Sequence, residues 1–255
     1  MDRTSFQLAT QRVLSGEHPH HGIGTLGEKT LHAVIKHYVE PDESFHEIPL
    51  EGYVADVYRE GHVCEIQTAG FGKMREKLRA FLPLYKVTIV YPVPATKWLK
   101  WVDVETGEIS RPRKSPKKGT PQAVFRELYR IKNFLKDPHL SIRILLIDIE
   151  ETRLKDGWSY DGKKGSHREN RIPIELVEEY RIEQIRDYHI LVPDSLEKFD
   201  SVQYARATGL TVNRARTALN VLHDLGIVRR IDKVGNRYIY EESTGQAQAV
   251  AVDKK

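Results

Sequence analysis

Several features that would mark other classes of protein are scarce in this sequence of 255 residues. A single cysteine, Cys64, excludes an internal disulfide and any zinc site built from several cysteines. The apolar runs are of strand length, and none approaches the about 20 residues that a membrane-spanning helix needs. The first ten residues lack the apolar stretch of a secretory signal. We therefore expect a cytoplasmic protein that has no membrane partner.

Positive charge is in slight excess and is concentrated in two stretches. The chain carries 40 Lys and Arg against 36 Asp and Glu, which gives a net charge of +4. Residues 111–118 read RPRKSPKK, and residues 155–171 hold five further lysines and arginines. Solvated loops carry such runs in many proteins, but clustered cations also suit a polyanion. The charge distribution therefore keeps nucleic acid open as a partner.

The apolar pattern of the first half predicts a helix, three short strands, a second helix and a buried strand. Leu31, Val34 and Ile35 recur at helical spacing, and Pro41 ends that helix. Alternating apolar residues separated by turn residues predict the strands, with a tight hairpin turn at 59–61. The predicted elements are a helix at 26–38, strands at 45–50, 53–58 and 62–68, a helix at 71–81 and a strand at 85–93.

Further elements are expected to complete the same sheet. They are a β-hairpin at 98–109, a helix at 122–135 and a strand at 141–152, after which charged segments bounded by prolines lead on through 172–186. The predicted organisation is a flexible segment at 1–22, a core domain at 23–187, a second domain at 188–242 and a disordered tail at 243–255.

Two carboxylates, Asp56 and Glu65, lie on neighbouring strands of one predicted hairpin. Pairing across its short turn can bring them to the same end of the sheet, and Gln67 shares a face with Glu65. Converging carboxylates repel one another unless a cation lies between them, and their hard oxygens suit Mg²⁺ or Mn²⁺. Glu28, on the preceding helix, can point over the end of the sheet. Outward charges on an edge hairpin serve solubility in many sheets, but the apolar neighbours here favour a metal site.

This arrangement resembles the PD-(D/E)xK nuclease superfamily, which includes type II restriction enzymes and archaeal Holliday-junction resolvases. The shared pattern is an acid on the first helix, an Asp on the second strand, and an acid two residues before a polar residue on the third strand. Here these positions hold Glu28, Asp56, Glu65 and Gln67. The resemblance implies an α/β (α+β) restriction-endonuclease-like core with a central mixed sheet. It also implies metal-dependent hydrolysis of phosphodiesters in DNA.

The resemblance also implies a role for each residue. Asp56 and Glu65 would be ligands of Mg²⁺ (or Mn²⁺), and Glu28 would be an outer ligand or a water-orienting group. The superfamily usually has lysine where this sequence has Gln67, although some active members also carry glutamine. Lys77 or Lys73, on the next helix, could reach back into the site in place of that lysine.

The C-terminal part of the chain predicts a compact helical unit with a β-hairpin. Helices are expected at 201–208 and 211–224 around a tight turn at Gly209, followed by strands at 227–231 and 237–240. The stretch ALNVLHDLGIVRRIDKVGNRYIY is similar to winged helix-turn-helix domains, a resemblance that spans 188–242 and makes the second helix a recognition helix. The implied DNA-binding residues are Asn213, Arg214, Arg216, Thr217, Lys233 and Arg237. Winged helices also serve as protein–protein modules.

The leading hypothesis is a metal-dependent DNA endonuclease of recombination, repair, restriction or a mobile element. A nuclease core followed by a winged helix also resembles the endonuclease subunit of Tn7-type transposons. One alternative is a non-catalytic DNA-binding protein or transcriptional regulator on a decayed nuclease core. Another is an enzyme that acts only with a partner protein in a larger complex. A homodimer and an RNA substrate also stay open.

Overall fold

A computed structural model of the chain describes residues 1–16, 26–157 and 165–243, with side chains for 30–155 and 168–243 in the last two ranges. The helices are α1 (Arg3–Leu14), α2 (Leu26–Val39), α3 (Arg75–Phe81), α4 (Phe125–Leu128), α5 (Ser201–Thr208) and α6 (Val212–Asp224). The strands are β1 (His46–Leu50), β2 (Tyr53–Arg59), β3 (His62–Ile66), β4 (Lys86–Asp103), β5 (Arg113–Lys114), β6 (Leu140–Gly157), β7 (Gly165–Ile182), β8 (Lys198–Phe199), β9 (Val228–Val234) and β10 (Arg237–Glu242). Short 3₁₀ segments lie at Glu43–Phe45, Phe71–Met74, Pro121–Val124, Tyr129–Phe134 and Ile185–Leu191.

A mixed sheet of seven strands forms the centre of the fold. Its order is β1-β2-β3-β4-β6-β7, and β5 pairs with β4. The first three strands are antiparallel neighbours. The β2–β3 turn consists of Glu60 and Gly61, both with positive φ, as a two-residue hairpin turn with the native twist requires. Strands β3, β4 and β6 are parallel, so the chain crosses between β3 and β4 through α3. The predicted α/β class and central mixed sheet are confirmed.

The N-terminal segment, expected to be flexible, is instead helical over α1. Asp2 accepts the backbone N–H of Ser5 as the N-cap, and Phe6, Ala9 and Val13 form an apolar stripe. This stripe packs with α2 on one face of the sheet, where it completes an apolar cluster with β6 and β7 residues. The expectation overlooked the i, i+3, i+7 spacing of these three residues. The remaining residues of the expected segment from 17 on lie outside the described part, as does the predicted tail from 244 on.

Strand β7 is the largest element that the sequence pattern did not reveal. Residues 172–186 were expected to be charged connecting segments, but 172–182 belong to β7, which pairs with β6 along most of its length. Leu176 and Ile182 are buried on this strand. Glu179, almost fully buried, accepts a hydrogen bond from Nε of Arg143 at 2.7 Å. Because its charged residues pair with β6 and neighbouring side chains, the polar sequence conceals a strand.

Strand β4 runs through residues that were expected to start a separate hairpin. It continues through Trp98 to Asp103, with an irregularity after Pro94, and turns back so that Ile109 pairs with Val102. The basic stretch 111–118 then folds back against β4. It ends at Gly119, where a Cβ would lie 2.1 Å from the carbonyl oxygen of Pro94. A side chain larger than hydrogen therefore has no room at this close approach.

The helix expected at 122–135 is broken into short pieces. Only α4 is α-helical, and 3₁₀ segments lie before and after it. Ile131 has non-helical angles (φ −116°, ψ 23°) inside the second of these segments. Its side chain is buried in the same cluster as Leu128. Core packing at Ile131 therefore accompanies the departure from helical periodicity.

The C-terminal unit consists of α5, α6 and a three-stranded sheet of order β8-β10-β9. Asp200 and Thr211 are the N-caps of the two helices, and Gly209 has a φ of 70° in the turn between them. Leu219 and Leu222 of α6 belong to the same apolar cluster as the α3 and α4 side chains on the sheet's second face. The unit therefore packs against α4 and the 3₁₀ segment that follows it on that face of the sheet. Among the described residues, no helix is both long and apolar enough to cross a membrane.

The packing of α1 predicts how much it stabilises the fold. Phe6 is fully buried and meets Tyr38 edge-on at 5.3 Å between ring centroids. We expect Phe6→Ala to lower the free energy of unfolding by about 3–5 kcal/mol, because it leaves a cavity beneath α2. Leu8→Ala, at a residue that is 60% exposed, is the matched control and should change it little. Urea denaturation measures both, and equal effects would show that α1 does not pack as described.

Candidate active site

The main-chain pairing of β2 and β3 stops where the two predicted carboxylates lie. The ladder runs from the turn as far as Val57 opposite Cys64. In the same register the next pair would be Asp56 and Glu65. At this position side-chain oxygens, and not main-chain carbonyls, accept hydrogen bonds from the backbone. Asp56 Oδ2 accepts the N–H of Ile66 at 2.7 Å. Glu65 Oε1 accepts the N–H of Asp56 at 3.4 Å. The strands therefore separate at this point, and the carboxylates satisfy the backbone groups that pairing leaves open.

Asp56 is held from the α2 side of the sheet. His32, on α2, lies with Nε2 3.2 Å from Asp56 Oδ2. Sequence reasoning missed this histidine, although it follows Glu28 by four residues and so shares its helix face. Burial raises the pKa of Asp56, but the hydrogen bond and charge of His32 and the N–H of Ile66 lower it by more. Asp56 is therefore the carboxylate of the pair that is kept ionised.

Glu65 is held from the opposite face by α3. Its side chain is 1% exposed, and Lys77 Nζ donates a hydrogen bond to Oε2 at 2.6 Å. The same ammonium donates to the carbonyl oxygen of Val54 on β2. Burial and the negative charge of Asp56 raise the pKa of Glu65 to about 7, against the effect of Lys77. The pair is thus poised between a protonated and an ionised state near neutral pH.

A buried carboxylate on α4 positions the helix that carries Lys77. Glu127 Oε2 accepts the N–H groups of Gly70 and Phe71, at 2.9 and 3.1 Å. Gly70 is left-handed, with a φ of 78°, which turns the chain from the end of β3 into α3. This fixed connection, together with burial of Leu78, directs Lys77 toward Glu65.

The donor set fits a hard divalent cation. Asp56 and Glu65 offer only oxygen ligands, the type that Mg²⁺ and Mn²⁺ prefer, and they lie beside a single lysine, Lys77. Among the described side chains, no group of three or more His, Cys, Asp or Glu is arranged to hold a metal ion. A Mg²⁺ ion bound here would therefore keep several water ligands, as Mg²⁺ commonly does.

The other residues expected at this site are placed differently. Lys73 is exposed and makes no hydrogen bond or ion pair with the pair, so Lys77 is the lysine that reaches it. Gln67 continues the β3–β4 pairing through its N–H to Val90, and no described hydrogen bond joins its side chain to Asp56 or Glu65. Glu28 lies in the first turn of α2, and its side chain is outside the described part.

Comparison with known proteins places the chain in a family. The sequence pattern of the family described as "Domain of unknown function (DUF8091)" matches residues 29–183, more than half of the chain. The chain belongs to this family. A Treponema pallidum (strain Nichols) protein with the printed name "Uncharacterized protein" is 31% identical over 227 residues, which cover 86% of this chain and 87% of that protein. No solved structure matches the chain. The DUF8091 segment contains Asp56, Glu65 and Lys77 and ends before β8.

The six residues expected to bind DNA divide into three groups. Asn213 and Arg216 are exposed on α6, and Lys233 is exposed on β9. Arg214, which is also exposed, and the partly buried Thr217 line a pocket between α6 and the α4 region of the DUF8091 segment. Arg237 donates a hydrogen bond to Asp200 at 2.7 Å, so its guanidinium already has an anionic partner.

Several cations of the two basic stretches contact other residues of the fold. Glu151 is fully buried on β6, and ion pairs link it to Arg153, Arg168 and Arg171. Lys114 of the first stretch lies over the ring of Trp98, 5.5 Å from its centroid. These contacts account for several of the cations by packing and charge compensation. Lys163 and Lys164 lie outside the described residues.

The raised pKa of Glu65 predicts a pH-dependent stability. A carboxyl whose pKa is higher in the folded state adds stability below its ordinary pKa of 4.5 and loses it as the pH rises toward about 7. The stability of Glu65→Gln relative to the unsubstituted protein should therefore increase by about 2 kcal/mol from about pH 5 to about pH 8. Urea denaturation with EDTA measures this difference.

Glu60→Gln is the matched control, because its carboxylate is 85% exposed in the neighbouring turn. Its effect on stability should be the same at both pH values. If the Glu65→Gln effect is also the same at both, the carboxyl does not titrate near neutral pH and the described electrostatics are wrong.

Proposed function

We propose that this protein is a metal-dependent DNA endonuclease with a restriction-endonuclease-like core. The observation that carries the proposal is the joint position of Asp56, Glu65 and Lys77 at the separated ends of β2 and β3. These three residues lie on a run of elements whose order is a helix, three antiparallel strands, a crossover helix and a parallel strand. The PD-(D/E)xK resemblance implies the same order. A decayed nuclease site would lack a lysine beside its carboxylates. Here Lys77 donates a hydrogen bond to Glu65.

The residues have distinct tasks in this proposal. Asp56 and Glu65 would hold Mg²⁺ or Mn²⁺, which when bound supplies a water of lowered pKa and neutralises charge at the scissile phosphate. Lys77 holds Glu65 in place and would supply a positive charge to a bound phosphate. His32 orients Asp56 through Oδ2.

Plasmid cleavage tests the proposed activity. With Mg²⁺ or Mn²⁺ the unsubstituted protein should nick or linearise supercoiled DNA. Asp56→Ala and Glu65→Ala should abolish cleavage, because each removes a ligand, and Lys77→Met should slow it about 100-fold by removing a charge. Glu60→Ala, at the nearby turn, is the control and should cut normally.

Two other results would contradict the endonuclease proposal. Cleavage that persists equally in all variants would come from a contaminating nuclease. Binding of DNA without cleavage in any form would support the alternative of a DNA-binding protein on a decayed core. A parallel assay on single-stranded RNA and DNA of the same sequence identifies the nucleic acid.

We infer further that the C-terminal unit is a winged helix that binds DNA through its exposed cations. The support is the order of two helices and a hairpin, with Arg216 on α6 and Lys233 on β9 facing solvent. Arg216→Ala and Lys233→Ala should each weaken duplex binding. Each should also make the slope of log affinity against log salt shallower by about 1, because each variant loses one phosphate contact. Fluorescence anisotropy measures this, with Arg237→Lys as the control that keeps the charge near Asp200. An unchanged slope in both alanine variants would remove this surface from the proposal.

A further inference from the structure

A pocket of about 370 Å³ lies between α6 and the helical segments on the second face of the sheet. Its lining includes four arginines, each from a different element or segment: Arg75, Arg126, Arg130 and Arg214. They come from α3, α4, the 3₁₀ segment after it, and α6. The volume is within the range of small-ligand pockets, which is about 300–1,000 Å³.

The positive charge of this pocket is only partly compensated. Glu127 pairs with two of the arginines, its oxygens lying 3.9 Å from Nε of Arg126 and of Arg130. Glu127 also serves the N–H groups of Gly70 and Phe71. Arg75 donates to the carbonyl oxygen of Arg130 at 2.7 Å, and no described ion pair involves Arg214. Arg126 and Arg130 share Glu127 and are 62% and 52% exposed, so their remaining guanidinium donors are open to an anion.

Two of the pocket arginines also act on one nearby hydroxyl. Burial and the charge of Glu127 raise the pKa of Tyr91, and the charges of Arg126 and Arg214, together with Arg171 of the Glu151 group, act in the opposite direction. Guanidinium groups from three separate elements therefore lie within electrostatic range of one hydroxyl. By contrast, the arginines around Glu151 pair with it at 2.7–3.3 Å. The pocket arginines are thus a distinct and less compensated group.

The remaining lining residues supply a ring and polar groups. Tyr129 lies beside the arginines with half of its surface exposed, and Gln122 and Thr217 add hydrogen-bonding groups. Guanidinium groups suit phosphate because they donate paired hydrogen bonds to its oxygens. An accessible tyrosine ring suits a nucleobase, which stacks on aromatic faces. The chemistry of a phosphate joined to a flat ring is that of a nucleotide.

We propose that this pocket binds a nucleotide, with its phosphate on the guanidinium groups and its base against Tyr129. The nucleotide is either free or part of a nucleic-acid strand. Arg75 and Lys77 are two residues apart on α3, so their side chains diverge by about 200° around the helix. The pocket is therefore separate from the Asp56–Glu65 pair, and binding there does not depend on hydrolysis.

Binding measured with EDTA, where no cleavage occurs, tests the proposal. Calorimetry with thymidine 5′-monophosphate should show binding, and thymidine should bind much more weakly because it lacks the phosphate. Arg126→Ala and Arg214→Ala should each weaken binding about tenfold, since each removes a charged hydrogen-bond donor. Arg206→Ala, at an exposed arginine of α5 outside the pocket, should have no effect.

Anisotropy of a labelled single-stranded oligothymidylate distinguishes the two sources. Loss of oligonucleotide affinity in the two pocket variants without binding of the free nucleotide would mean that the pocket holds a nucleotide within a strand. Binding of the free nucleotide that is lost in the same variants would mean a free ligand. Either result supports the pocket.

The proposal is overturned if the double variant Arg126→Ala/Arg214→Ala retains affinity for both ligands. It is also overturned if Arg206→Ala weakens binding as much, because the effect would then be one of net charge. Thermal denaturation of each variant confirms that the fold is retained. Asp56→Ala should bind the nucleotide normally, so failure of the endonuclease proposal and failure of this one give different results.

Discussion

The interruption of the β2–β3 ladder at Asp56 and Glu65 is the constraint around which the site is built. Each carboxylate accepts a backbone N–H of the opposite strand beyond the last paired residues. Two acids held so close in a buried place need positive charge. Lys77 supplies it from α3 on one face, and His32 hydrogen-bonds Asp56 from α2 on the other. The positions of α2 and α3 therefore set the environment of the two carboxylates. Glu127 contributes by holding the segment that leads into α3.

The basic residues of this chain fall into two physical classes. Around Glu151 the arginines surround a fully buried carboxylate at short distances, and their charge is compensated within the fold. Around the α6 pocket the arginines outnumber the carboxylate and keep longer distances from it. Arg168 and Arg171 lie in the basic stretch 155–171, whereas no pocket arginine lies in either basic stretch, so those stretches do not indicate the pocket. Only the distance to a buried anion identifies which cations remain for a ligand.

Local pattern predicted most of the elements that build the candidate site. The bounds of α2, β2 and α5 agree with their predictions within a residue or two, because caps, turns and apolar periodicity are local. Strand β7 escaped prediction, since its glutamates pair across strands that are distant in sequence. The helix predicted at 122–135 is interrupted at Ile131, whose side chain is buried in the core. The endonuclease and winged-helix assignments stay predictions.

The sequence by itself determined the carboxylates, the hairpin that joins them and the helix that follows. These depend on turn residues and on alternation along a few neighbouring residues. Tertiary structure alone decided that Lys77 rather than Lys73 meets Glu65, that His32 meets Asp56, and that Arg214 faces a pocket. Those choices depend on which faces of α2, α3 and α6 are turned toward the sheet. Burial of apolar stripes over the whole fold sets these orientations, and no local stretch of sequence contains that information.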